Sequence, residues 1–356
     1  MEGPGDAAAW AKALGISREA VELYLASDVV DLHLDSFIWT RVFGYDLTRR
    51  HGRGPLDGRL FSQVDLPRLR EARITGGIWS ITTNPLRRPA GRARAFTQNL
   101  AQLERVFASV PADAVLVRTL ADYRRARASG KHAAFVGIQG GNAIDAGALD
   151  DRVVKVVLVH LSRSNLGMTS SPYSLGRGAD GLTGEGRRYV ADLDRRRIFV
   201  DLAHVSRQGF FDAVAAHDRT LPLMVSHTGV SGVFPHWRNL ADDQLRAVAQ
   251  TGGVVGVMYQ AGFLCEPARE ARAQTVVRHL EHVANVAGEE AAALGSDFDG
   301  LIVPPRDLAT CLELPRLVDA MLRRGFSEAR VRGVLGGNFL RALGALRGEQ
   351  SGARAA

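Results

Sequence analysis

Four histidines of this chain stand in or directly after short apolar runs: His33 in VVDLHLDS, His160 after VVKVVLV, His204 after IFVDLA and His227 after LPLMVS. Asp35 lies two residues beyond His33, so on an extended segment both side chains face the same way. Gln139 ends the run HAAFVGIQ, and Asp297 ends AALGSD before FDG. Imidazole with carboxylate is a ligand set for a zinc-type cation. The reaction that suits it is hydrolysis. Such a cation acidifies a bound water and polarises a carbonyl, while an ionisable neighbour such as Asp297 moves the proton. A single strand-end histidine is more often a hydrogen-bonded core residue; its repetition in consecutive units is what points to a metal.

The elements that must carry these residues read as eight strands separated by helical stretches. The strands fall at 29–36, 76–83, 132–141, 153–160, 198–203, 221–226, 252–259 and 292–297, and between His204 and His227 the residues Phe210, Phe211, Val214 and Ala215 stand at helical spacing. The region 92–128 reads as two helices broken near 110–112. Residues 40–70 show no period and suit an active-site loop or a flexible excursion, and 161–183 is a long polar loop. Eight such units make an α/β fold, a (β/α)8 TIM-like barrel of the metal-dependent hydrolase type with N- and C-terminal helices. In that fold the C-terminal ends of the strands share one mouth. No glycine- or proline-rich linker divides the chain, so 1–356 is expected to be one domain, with 1–28 a helical extension and 348–356 a disordered tail. His279 and His282 fall in a helical region, away from any strand end, and are read as packing or solvated residues.

Of the 45 basic residues only Lys12, Lys131 and Lys155 are lysine, and the arginines are scattered without interleaved aromatics. This pattern excludes a nucleic-acid motif despite the net charge of +7. Two distant cysteines, Cys265 and Cys311, give neither a disulfide framework nor a structural zinc site. The N-terminus lacks a signal-peptide layout, and no apolar run is long enough to span a membrane. A cytoplasmic protein with no membrane partner is the expectation.

Taken in order, D-L-H-L-D at 31–35, G-I-Q-G-G-N-A-I-D at 137–145, D-L-A-H-V-S at 201–206, S-H-T-G at 226–229, R-N at 238–239, G-S-D-F-D-G at 295–300 and the closing N-F-L-R-A-L resemble the renal (membrane) dipeptidase family, the M19 zinc peptidases of the amidohydrolase superfamily. The resemblance runs from about Val29 to the last helix. It implies that His33 and Asp35 hold one zinc and His204 and His227 a second. His160 would then contact the substrate carbonyl and its oxyanion, Arg238 the substrate's C-terminal carboxylate, and Asp297 would shuttle the proton to the leaving amine. A homodimer is implied as well.

One motif departs from the family. Where the family's G-x-E-G-G places a glutamate that bridges both zinc ions, this chain has Gln139, followed by Asn142 in place of the usual histidine. An amide is a neutral, weak ligand, and two cations ~3.5–4 Å apart in a two-metal site would lose a compensating charge. One or two Zn2+ per chain are therefore open, with one favoured, held by His204 and His227. The function expected is metal-dependent hydrolysis of a dipeptide or related small amide. The alternatives are a non-hydrolytic isomerase, tautomerase or lyase acting on a peptide-derived metabolite at the same site, or a catalytically silent dipeptide-binding protein.

Overall fold

Nine strands form a single parallel sheet: β1 (Val30–Leu34), β2 (Gly76–Thr82), β3 (Ala114–Leu116), β4 (His132–Gln139), β5 (Val153–Val157), β6 (Phe199–Asp201), β7 (Met224–Thr228), β8 (Val254–Val257) and β9 (Ala292–Leu294). Eight of them follow one another around the sheet in the order β1-β2-β4-β5-β6-β7-β8-β9. The ring is drawn together by a parallel bridge between Leu34 and Phe298, with Asp35 N donating to Phe298 O at 3.0 Å and Asp297 N to His33 O at 3.2 Å. This computed structural model describes residues 7–82, 89–145, 148–174 and 180–348. Thr83 and the expected tail beyond Gly348 lie outside them.

The strands are apolar and β-branched on both faces because helices cover them outside and side chains fill them inside. Val153, Val156 and Val157, for example, are fully buried. Hydroxyl or carboxylate caps start several of the covering helices. The side chain of Thr183 accepts from Gly186 N ahead of Gly184–Arg195, and that of Ser206 accepts from Gly209 N ahead of Arg207–Ala216. A cap of this type stabilises a helix by about 1 kcal/mol. Ser206 follows His204 by two residues, so the turn bearing the histidine is pinned to a helix start.

Two expectations need correction. The stretch between the helices Pro89–Ala108 and Leu120–Ala128 is more than a break, because Ala114–Leu116 pairs with β4 as a ninth strand outside the barrel ring. Residues 40–70 are not a free excursion. They hold the helix Leu66–Glu71, capped by Asp65, and a buried Arg68–Asp65 ion pair at 2.6 Å. Gln63 N donates to Asp299 Oδ1 at 2.7 Å and Trp39 Nε1 to Asp299 O at 2.7 Å, tying this segment to the loop that carries Asp297.

Two buried histidines outside the mouth are satisfied only as neutral rings. His132 lies 2.9 Å from Ile74 O through Nδ1 and accepts from Trp79 Nε1 at 3.1 Å. His279 accepts from Val230 N at 3.0 Å and its Nε2 lies 3.0 Å from Leu264 O, so it braces the loop after β7, in keeping with a packing role. Burial pushes both pKa values down to about 4. The unfolded chain protonates such rings near ~6.5, so between those values it binds more protons than the fold does. Stability from this source is intact above pH ~6.5 and is lost as the pH falls toward 4, by up to about 3 kcal/mol per ring. Urea unfolding at pH 7 and pH 4.5 checks this. His132→Gln should shrink the difference in midpoint, and an unchanged difference would contradict the assignment.

Candidate active site

The strand-end residues converge at the C-terminal mouth of the barrel. His33 and His227 lie within their strands, Gln139 is the last residue of β4, and Asp35 follows β1 by one residue. His160, His204 and Asp297 each stand three residues past the ends of β5, β6 and β9. His204 and Asp297 adopt left-handed backbone, with φ of 66° and 61°. That region disfavours residues carrying a Cβ, so the surrounding structure must hold them there. For His204 the holding groups are in the polar loop. Ser170 N and Thr169 Oγ1 both donate to His204 O, at 2.7 and 3.1 Å. Asp297 N donates to His33 O at 3.2 Å and Asp297 O accepts from Gly300 N at 3.0 Å, and two residues earlier an added Cβ on Gly295 would sit 1.8 Å from Ser226 O, so that position admits only glycine.

Within the mouth, His204 Nε2 and His227 Nε2 are 2.8 Å apart. Burial holds both rings well below their ordinary pKa, with Arg238 adding to the effect, so both offer neutral nitrogens. The gap is that of an N–H···N hydrogen bond between two neutral rings; with the ring hydrogens on Nδ1, the same two nitrogens could share a cation. His33, His227 and Asp297 offer donor atoms that all lie within 4.8 Å of one another, which gives a candidate metal site. The His33 and His227 rings have centroids 3.9 Å apart, and His160 and His204 4.7 Å. Desolvation pushes His160 down to about 4, so it too is a neutral ring near pH 7.

Gln139 sits among His33, Asp35, Thr82 and His160. Its Oε1 is 2.9 Å from His33 Nε2 and 3.1 Å from Thr82 Oγ1. The amide orientation that satisfies both ends turns its nitrogen to the two Asp35 oxygens and Thr82 Oγ1 at 3.1 Å and to His33 Nε2 at 2.9 Å as a donor, while its oxygen accepts from His160 Nε2 at 2.8 Å. Asp35 is held below the usual carboxylate range despite its burial, by His33 above all. Asp297 goes the other way: burial first, then the Asp35 charge, push it well above that range. Two nearby carboxylates with opposite shifts are suited to different tasks, one to stay ionised and one to carry a proton.

Arg238 is brought in by the loop after β7. Its Nη2 donates to His227 O at 2.8 Å, while the buried Nε has no hydrogen-bond partner among the described residues. Desolvation lowers its pKa to about 10, still a cation at neutral pH. A buried guanidinium with a spare donor beside the mouth has the chemistry to receive an anionic group.

All eight residues expected at the site are thus gathered in or beside one mouth. A layer beneath it was missed by sequence reasoning: Lys155 on β5, Asp201 at the end of β6 and Ser226 on β7, all fully buried. The available signal was a lone charge in the apolar run VVKVVLV.

The whole arrangement has relatives. Residues 17–354 match the family model described as membrane dipeptidase (Peptidase family M19). The dipeptidase aclJ of Aspergillus oryzae is 30% identical over 349 residues, covering 93% of this chain and 81% of that protein. A crystal structure of a metallopeptidase from Rhodobacter sphaeroides, liganded with a phosphinate mimic of the dipeptide L-Ala-D-Ala, superposes with a TM-score of 0.80 at 26% identity, covering 90% of this chain and 99% of that one. The probable dipeptidase PvdM of Pseudomonas aeruginosa shares the fold, with a TM-score of 0.83 at 18% identity over 95% of this chain and 99% of its own. No helix among the described residues is long and apolar enough to cross a membrane. With nearly its whole length matched and its polar residues gathered where a metal site would form, the chain belongs to the membrane dipeptidase family, Peptidase family M19, and is a hydrolase of the dipeptidase type.

Proposed function

We propose that this enzyme hydrolyses a dipeptide or a related small amide, with one zinc ion held by His204 and His227. The observation that carries the reading is the 2.8 Å approach of those two neutral Nε2 atoms, with an Asp297 oxygen within 4.8 Å of a His227 ring nitrogen and Arg238 bonded to the His227 carbonyl. When bound, the metal supplies Lewis acidity, lowering the pKa of a water and polarising a carbonyl. The residues supply the rest. Arg238 takes the C-terminal carboxylate of the substrate through the guanidinium edge that its His227 O contact leaves free. This fixes the scissile amide over the mouth and supplies orientation that need not be found by diffusion. His160, neutral and at the rim, donates a hydrogen bond to the carbonyl oxygen as negative charge gathers on it.

Asp297 takes the proton of the attacking water and passes it to the departing amine nitrogen. Its raised pKa suits both halves of that transfer, since a carboxyl far below the working pH would be a poor acid. Gln139 adds no charge where the family's bridging carboxylate would stand, which favours a single ion. The reading is tested by incubating zinc-loaded enzyme with a panel of dipeptides that includes L-Ala-D-Ala and measuring released amino acid. Release from some members, abolished by chelator, is expected. Silence across the whole panel would sink the reading.

A further inference from the structure

The turn that bears Asp297 is held in a costly shape. Asp297, Asp299 and Leu301 all adopt left-handed backbone, with φ of 61°, 66° and 63°. None of them is glycine, so the surroundings must keep the turn as it is. The Asp297 carboxylate rests on the turn itself. A Cβ added to Gly300 would lie 2.9 Å from Asp297 Cγ and closer still to its Oδ1. The place of residues 299 and 300 therefore decides where that carboxylate lies.

Gln63 fixes that place. Its side chain is fully buried, and its Oε1 accepts from Asp299 N at 2.5 Å. Its Nε2 donates to Gly58 O at 2.7 Å and at a longer 3.4 Å to Ile302 O. Its backbone N donates to Asp299 Oδ1 at 2.7 Å, and Val64 N to Asp299 Oδ2 at 3.3 Å. From the other side, Trp39 Nε1 donates to Asp299 O at 2.7 Å. Only an amide offers an acceptor and donors on one head. A glutamate would set a carboxylate oxygen against two carbonyls, and a methionine would leave the buried Asp299 N without its acceptor. The segment that delivers Gln63 carries left-handed residues of its own, Asp57, Leu60 and Ser62, at φ of 53°, 69° and 65°. Leu60 N donates to Ile302 O at 2.7 Å, so two costly turns face each other and supply each other's bonds. Strain of this kind collects where a group must be placed.

We infer that Gln63 is a positioning residue for the hydrolytic step, holding the turn 297–300 so that Gly300 seats the Asp297 carboxylate in its working place. The inference rests on the reading of Asp297 as proton carrier and adds what keeps it aimed. Gln63 acts through Asp297 and not on the substrate.

The test compares wild type, Gln63→Met, Asp297→Asn and the double variant in steady-state dipeptide cleavage. A misplacement of about 1 Å costs on the order of 10²-fold, so Gln63→Met should lower kcat by roughly 10–10²-fold, with KM within a few-fold and zinc content unchanged. Beside Asp297→Asn the same change should cost less than about three-fold, because the group it aims is gone. Unchanged kcat in Gln63→Met, a loss lying in KM, or a full loss repeated beside Asp297→Asn would overturn the inference. Trp39→Phe takes its place should the methionine variant not fold. It removes only the donor to Asp299 O, and a smaller loss of kcat with the same dependence on Asp297 is expected.

A crystal structure of whichever variant folds reads the carboxylate without any activity. Expected is an Asp297 carboxylate displaced from Gly300 while His204 and His227 keep their places; a carboxylate in its wild-type position would contradict the inference. Should wild type cleave no dipeptide, the hydrolase reading falls, and the crystal structure still decides the positioning role. Cleavage by wild type with an unmoved carboxylate in the variant removes the positioning role alone.

Discussion

Asp297→Asn should lower kcat for dipeptide cleavage by roughly 10²–10⁴-fold while leaving KM within a few-fold, the range expected for removing a general acid–base group. Asparagine matches the shape of aspartate, and the backbone bond from residue 297 N to His33 O is untouched by the change. The left-handed φ of 61° is one that asparagine accepts at least as readily as aspartate. The fold and the His204–His227 pair should therefore survive, and zinc content should stay as in wild type. The loss would lie in the proton alone, since an amide neither takes one from water nor returns it to the amine. Steady-state kinetics with parallel metal analysis checks this. Activity retained within ten-fold would remove Asp297 from the proton path, whereas loss of zinc along with activity would make it a ligand.

The second large effect concerns Arg238. Arg238→Met should lower kcat/KM for a dipeptide by roughly 10²–10³-fold, in line with the cost of about 2–5 kcal/mol for breaking a desolvated charge pair. Most of it should appear in KM. Arg238→Lys should recover only part, because a point charge cannot present two parallel donors to a carboxylate. The control is a dipeptide whose C-terminus is an amide. Wild type should prefer the free acid strongly, and the methionine variant should lose that preference. A variant that discriminates as well as wild type would place the carboxylate receptor elsewhere.

How far the sequence could be read follows from what each residue leaves as a local signal. His33, His160, His204 and His227 were legible because each interrupts or ends an apolar run, and a parallel barrel sends such positions to one mouth. Arg238 and Asp297 gained meaning only from the motifs around them, since an arginine in a loop and an aspartate after a short strand are common. The left-handed backbone at His204 and Asp297 is held by tertiary bonds from Thr169 and Ser170 to the first and from the second to His33, and has no sequence mark. Lys155 was visible as a charge in an apolar strand, yet its partners Asp201 and Ser226 lie 46 and 71 residues away, beyond any local pattern. The short strand Ala114–Leu116 hid between two helices for a similar reason: three residues carry too little alternation to show a period. The helix at Leu66–Glu71 could have been found from Asp65 followed by Leu-Pro, a cap with proline in the first turn.

The most direct test strips the enzyme with chelator and returns zinc in steps, measuring amino acid released from a cleavable dipeptide at each addition. The account predicts no cleavage without metal and a rise that levels at one equivalent per chain. Cleavage in the stripped enzyme, or a rise that continues to two equivalents, would contradict it.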